Sequence, residues 1–178
     1  MAWNIPLLLK HLWLDADDAR RWVPEDVLER LAAQVSASEA RHSGEIRICI
    51  EASLPWRYLR RIDEQTSLGD VIRARAVAMI AELGVWDTAK NNGVLIYLML
   101  AEHAIEVVAD RGLNAHVSEQ RWRELVGHME DAFRARRYDQ GLSHAVAEAT
   151  EVLAVHFPLR EADATVNPDE LPNAPVVM

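Results

Sequence analysis

Oxygen donors dominate the residues of this chain that could do chemistry. Glu45, Asp87, Asn91, Asn92 and Asp110 supply carboxylate and amide oxygens from separate stretches of sequence. Such hard donors suit Ca²⁺ or Mg²⁺ rather than zinc, which prefers imidazole and thiolate. The same residues also have structural uses. Asn91-Asn92-Gly93 is a good turn, Asp110-Arg111-Gly112 a good strand exit, and Glu45 can pair with Arg47 or Arg111. Spacing alone leaves both readings open.

Other chemistries find less to work with. The chain has no phosphate-cradling glycine loop, dinucleotide fingerprint, serine elbow, H-E-x-x-H or cysteine pair. Its seven histidines never fall at i, i+4 on one helix, and none reads as a metal ligand. Cys49, alone of its kind, lies mid-strand with no base beside it and reads as a buried, inert thiol. Asp15-Ala16-Asp17 has the D-x-D spacing of aspartyl-phosphate phosphatases. Ala19 stands where that chemistry needs a small β-branched residue, and an Asp-rich helix N-cap explains the pattern better. The basic clusters Arg57, Arg60, Arg61 and Arg134, Arg136, Arg137 read as solvated faces or local salt-bridge donors.

The elements that must position these residues follow from periodicity. Residues 1–23 hold Trp3, Trp13 and Trp22 around Asp15, Asp17 and Asp18, and read as a short helical extension clamped by aromatic anchors. From Pro24 to His42, Val27, Leu28, Leu31, Ala32 and Val35 recur at helical spacing, and Gly44 ends the run. Residues 45–51 alternate strictly, with Ile46, Ile48 and Ile50 on one side, which predicts a half-covered strand. Residues 53–67 read as a loop with one helical turn. Ser67 and Asp70 then form a capping box for a helix carrying Val71, Ile72, Ala76 and Met79. Residues 93–100 are apolar on both parities, as in a strand covered on both faces. Residues 104–110 return as its hairpin partner, through a turn longer than two residues because Glu102-His103 lacks the Gly or Asn of tight turns. One helix from Ser118 through Phe133 and another from Asp139 through Leu153 close a domain over residues 24–157. Residues 158–178 form a Pro-punctuated acidic tail, too weakly apolar to order itself.

About forty residues with a helix join the first strand to the second, which suits a parallel crossover, and the third strand runs antiparallel. The expected fold is α/β, a three-layer α/β/α sandwich with a small mixed sheet. One rim of that sheet would collect the start of the first strand (Glu45), the start of the second (Asn91, Asn92) and the end of the third (Asp110), with Asp87 in reach from the preceding loop.

Charge and composition bound the role. The 178 residues carry 28 Asp+Glu against 19 Lys+Arg, a formal net charge of −9, which disfavours nucleic acid and anionic lipid surfaces as partners. No secretory signal and no span of membrane length is visible, and the lone cysteine fits a reducing compartment. The expectation is a cytoplasmic protein without membrane insertion.

Ser43-Gly44-Glu45-Ile46-Arg47, Gly84-Val85-Trp86-Asp87-Thr88, Asn92 to Leu98 and Val107 to Gly112, in this order and spacing, resemble the TPM domain family. Met129, Phe133 and Tyr138 to Leu142 fit the family's closing helices, so the resemblance covers about residues 24–156. Trp86-Asp87-Thr88, His156-Phe157-Pro158 and the stretch from Asn167 to Pro175 look like its soluble, unanchored bacterial branch. The resemblance implies a compact α/β/α domain. Relatives have been linked to acid phosphatase activity, calcium binding, repair of photosynthetic membrane complexes and modulation of a membrane receptor. It also implies that Glu45, Asn92 and Asp110 lie on the polar rim where the family's functional site is sought. Glu102-His103 departs from the Asp-Arg or Asp-Lys turn common in relatives, and no nucleophile stands out. The expected function is a non-enzymatic module binding Ca²⁺ or Mg²⁺ and an unidentified protein partner. Metal-assisted phosphomonoester hydrolysis is the alternative, and a pure scaffold whose rim is a hydrogen-bonded loop knot is a third reading.

Overall fold

The computed structural model describes residues 5–127, 129–159 and 170–178; Trp3, His128 and the 160–169 part of the tail lie outside the described residues. Helices α1 (Ile5–Trp13), α2 (Ala16–Trp22) and α3 (Glu25–Glu39) lead to strand β1 (Ile46–Glu51). A single turn, α4 (Trp56–Leu59), and α5 (Leu68–Glu82) precede the hairpin of β2 (Val94–Met99) and β3 (Ala104–Ala109). Then come α6 (Arg111–Asn114), α7 (Glu119–Gly127), α8 (Glu130–Arg134) and α9 (Tyr138–His156), and finally β4 (Val176–Val177).

The sheet has the order β3-β2-β1-β4, with β1 parallel to β2 and β4, and β2 antiparallel to β3. Strand alternation divides the core in two. Ile46, Ile48, Ile50, Val94, Ile96 and Leu98 face α3 and α9, where Leu31, Val35, Leu142 and Leu153 are buried. Cys49, Leu95, Tyr97 and Val108 face α5, where Val71, Ala76 and Met79 are buried. Helices thus cover both sides of the sheet, as the three-layer architecture requires.

Local chemistry sets the helix starts. Asp15 accepts from the amides of Asp17 (2.9 Å) and Asp18 (3.1 Å), so the D-x-D is the N-cap of α2 rather than a phosphatase motif. Ser67 and Asp70 form the capping box of α5. The hairpin turns through a short 3₁₀ segment at Leu100–Glu102 and a left-handed His103 (φ 51°), which makes it longer than two residues.

Three expectations are corrected. β1 is buried along its whole length rather than half covered, because α5 and the C-terminal segment close over its polar side. The helix expected from Ser118 through Phe133 is two, α7 and α8; both turn apolar residues to the same core, so the periodicity runs across the break. The end of the tail is ordered as β4, because β1 offers it a strand edge that composition cannot reveal.

Candidate functional site

The rim forms where three strand ends meet. The Val94 amide donates to the Glu45 carbonyl (2.8 Å) and the Asp110 amide to the Gly93 carbonyl (2.9 Å), so Glu45, Gly93 and Asp110 lie in one row across the sheet. Residues in lateral register share a face, and two strand spacings put Glu45 roughly 10 Å from Asp110. Gly93 stands between them. A Cβ there would collide with the Val85 backbone carbonyl, so the loop after α5 packs directly onto the start of β2. Gly93→Ala should therefore destabilise the fold by about 1–3 kcal/mol, since backbone must yield rather than a flexible side chain. Urea denaturation checks this, with a lower midpoint and an unchanged m-value expected.

The side chains of the rim divide into those committed to the fold and those with capacity to spare. Asn92, wholly buried, donates through Nδ2 to the Ser43 carbonyl (2.8 Å), and its amide donates to Thr88 Oγ1 (3.1 Å). It ties the entry of β1 to the entry of β2. Glu45 is 1% exposed, and its Oε2 accepts from the Leu171 amide (3.3 Å). Asn91, in left-handed conformation (φ 52°), accepts Arg111 Nε (3.0 Å) and Nη2 (2.8 Å) on its Oδ1. Asp87 is exposed in the loop. Asp110 caps α6, accepting the Arg111 amide on Oδ1 (2.7 Å), while its Oδ2 is buried without a hydrogen-bond partner among the described residues. A buried carboxylate oxygen left unpaired is costly.

Glu45, Asn91, Asn92 and Asp110 thus share one rim, and Asp87 follows Val85 in the loop that packs onto it. Among the described residues no group of three His, Cys, Asp or Glu side chains is placed to hold a metal ion. Asn92 is committed to the strand entries, Asn91 is held by Arg111, Asp87 lies exposed in the loop and Asp110 keeps a bare oxygen.

Nucleophiles are poorly placed. Cys49 is fully buried, and burial pushes its thiol up to about 12, with the nearby Glu51 charge adding to it. Ser38 is hydrogen-bonded to His42 Nε2 (2.7 Å), but both are buried behind Thr150.

Two polar clusters went unnoticed in the sequence. Arg75 is 3% exposed and reaches Glu51 through Nε (2.9 Å) and Nη2 (2.9 Å), while Tyr97 Oη donates to the same carboxylate (2.5 Å). Arg47 is 8% exposed and donates through Nη1 to the carbonyls of Pro172 and Ala174. The signal available was the i, i+2 row of Glu45, Arg47 and Glu51 on a strand read as solvent-facing.

The TPM domain profile matches residues 18–152. The NMR structure of BA42, from the psychrophilic bacterium Bizionia argentinensis, is similar to this chain with a TM-score of 0.69 at 25% identity, over 86% of this chain and 94% of that one. No curated protein matches. Among the described residues, no helix is long and apolar enough to cross a membrane. With more than half of its length matched by the family profile, and with the sheet order and rim now described, the chain belongs to the TPM domain family.

Proposed function

We propose that this chain is a non-enzymatic module that binds a divalent cation, Ca²⁺ or Mg²⁺, at the acidic rim and docks on a protein partner. The observation that carries the cation is the buried, unpartnered Oδ2 of Asp110. An oxygen in that state gains most from a cation, because the desolvation it has already suffered is offset by direct coordination. Asp110 would anchor the ion, with Asn91 and Asp87 completing the oxygen set; Glu45 and Asn92 hold the strand entries that bring the loops together. A cation would supply charge neutralisation at this rim and lock the 87–92 loop against α6.

The partner half of the reading is supported by α1. Lys10 and His11, its only polar residues, are spent on Glu102 (3.1 and 3.0 Å), and His11 also accepts the Leu54 amide (3.0 Å). Its outer face therefore exposes Ile5, Leu9, Leu12 and Trp13, an apolar surface of the kind that marks interaction sites. A cytoplasmic location belongs to the same reading, resting on the single buried cysteine. The inaccessible Cys49 and Ser38 argue against a phosphoenzyme route, so the enzymatic alternative is metal-assisted hydrolysis by water.

Calorimetric titration of Ca²⁺ and Mg²⁺ tests the cation. The expected result is saturable binding in wild type, weakened at least tenfold by Asp110→Asn, because charge count sets affinity in oxygen sites. No heat in wild type up to millimolar metal would remove the cation from the proposal. Chelator-sensitive release of phosphate from a chromogenic monoester, lost in Asp110→Asn, would replace the module with an enzyme.

A further inference from the structure

The outer edge of β1 carries a second built site, independent of any cation. Residues 170–178 run along it, held by backbone hydrogen bonds and by the side chains of Glu170, Leu171 and Val177. The Ala89 amide donates to the Glu170 carboxylate (3.1 Å), and the Leu171 amide donates to Glu45 (3.3 Å). Arg47 Nη1 bridges the carbonyls of Pro172 and Ala174. Val176 and Val177 then pair in parallel with Cys49 and Ile50, the Met178 amide donates to the Ile50 carbonyl (3.0 Å), and the Ala52 amide donates to the Met178 carbonyl (2.7 Å). Leu171, 6% exposed, is the deepest side chain of the segment and Val177 packs partly buried against the other core; Pro172, Ala174 and Met178 remain exposed.

Arg47 is the telling residue. It is buried, and among the described residues it has no carboxylate partner and its Nε has no hydrogen-bond partner. Neutral carbonyls compensate a buried guanidinium less well than a carboxylate does, so stability alone gives no reason to place an arginine there. A guanidinium nitrogen that bridges alternate carbonyls, a carboxylate that takes an amide and an open strand edge are the parts of a site for extended peptide.

We propose that the β1 edge is a peptide-binding groove, filled here in cis by residues 171–177, which accepts an extended segment of a partner protein with the same chemistry. That segment carries a leucine at the first position, carbonyls presented to Arg47 at the second and fourth, prolines that pre-set the extended form, and β-branched residues at the sixth and seventh to pair with β1. Because residues 171–177 are tethered, they compete at an effective concentration of order millimolar. A free peptide therefore meets a blocked groove until the leucine anchor is weakened.

The test uses a fluorescein-labelled synthetic peptide of residues 169–178 and the full chain. By anisotropy, Leu171→Asp is expected to bind it at least tenfold more tightly than wild type does, and Leu171→Asp with Arg47→Gln at least tenfold more weakly than Leu171→Asp alone. A folded Leu171→Asp chain that binds no better than wild type, or an indifferent Arg47→Gln, overturns the groove. Should Leu171→Asp not fold, amide spectra of the wild-type chain with millimolar unlabelled peptide decide the matter. Shifts confined to the displaced segment (Leu171, Ala174, Val176 and Val177) and to Ala89, Cys49, Ile50 and Ala52 beside it support the groove, and shifts elsewhere or none refute it. A concentration-dependent dimer dissolved by the free peptide would overturn the assignment to a different protein, making the occupant a second copy.

Discussion

Arg75→Ala should destabilise the protein by about 3–5 kcal/mol, the usual cost of stranding one partner of a buried ion pair. Arg75 and Glu51 are both nearly inaccessible, and the pair is closed on all sides: Tyr97 Oη donates to Glu51, Glu82 takes Arg75 Nη1 at 2.7 Å, and the Tyr58 ring lies 5.4 Å beneath the guanidinium. Burial works to lower the Arg75 pKa, but the hydrogen bonds and charge of Glu51, helped by Glu82, hold it above its ordinary value. Burial and the same carboxylate push the Tyr97 hydroxyl up, which keeps it a donor. Removing Arg75 leaves an anion in the core between Tyr97 and the sheet. Urea unfolding with fluorescence detection measures the loss. The triple variant Glu51→Leu, Arg75→Met, Tyr97→Phe should by contrast stay within about 2 kcal/mol of wild type, since apolar groups of similar volume replace such networks at little cost. Equal losses in the single and the triple variant would show that packing, not the stranded charge, sets the penalty.

Much of this fold is written in local periodicity, and the exceptions share a cause. The strict alternation at Ile46, Ile48 and Ile50 and the two-sided apolar run at 94–99 identify the strands, and the helix-bearing connection between them forces the parallel pairing that brings Glu45 and Asp110 to one rim. What alternation cannot say is what covers the polar side of β1. Arg47 and Glu51 look solvent-facing in sequence because their partners are, in turn, a backbone 125 positions away and a helix residue 24 positions away. The order of the C-terminal segment follows from that same concealed contact: Pro172, Asn173 and Pro175 say loop, while Arg47, Glu45 and a free strand edge make them a strap. At the rim, composition identified oxygen donors, but which ones are spent depends on Thr88, Ser43 and Arg111. The bare oxygen of Asp110 is a property of the packing around it, and no spacing rule announces it.

Acid should unfold this protein in a window set chiefly by His42, with His103, whose pKa burial also lowers, adding to it. His42 is completely buried, donating from Nδ1 to the Gly44 carbonyl (3.0 Å) and accepting from Ser38 at Nε2 (2.7 Å), with Ser38 in turn against Thr150 (2.6 Å). Desolvation pushes its pKa down to about 4, the Gly44 hydrogen bond resisting and the Arg41 charge assisting. The unfolded chain takes up the proton near 6.5 while the folded chain refuses it, so the unfolded state binds more protons between these values. Stability is therefore full above about pH 6.5, falls as pH drops towards 4, and loses about 3 kcal/mol across that interval. Carboxylates held low by hydrogen bonds, such as Asp63 and Asp70, act in a more acidic window, beginning below the ordinary carboxylate pKa. The two contributions separate by pH and by substitution. Unfolding free energies taken at intervals from pH 7.5 to 4.0 should slope steeply in wild type. In His42→Asn they should slope much less down to about pH 5, the remainder coming from His103, and start from a lower value because the bonds to Ser38 and Gly44 are weakened. The same slope in both proteins would transfer the acid sensitivity to His103 and the carboxylates and leave the buried imidazole a packing group alone.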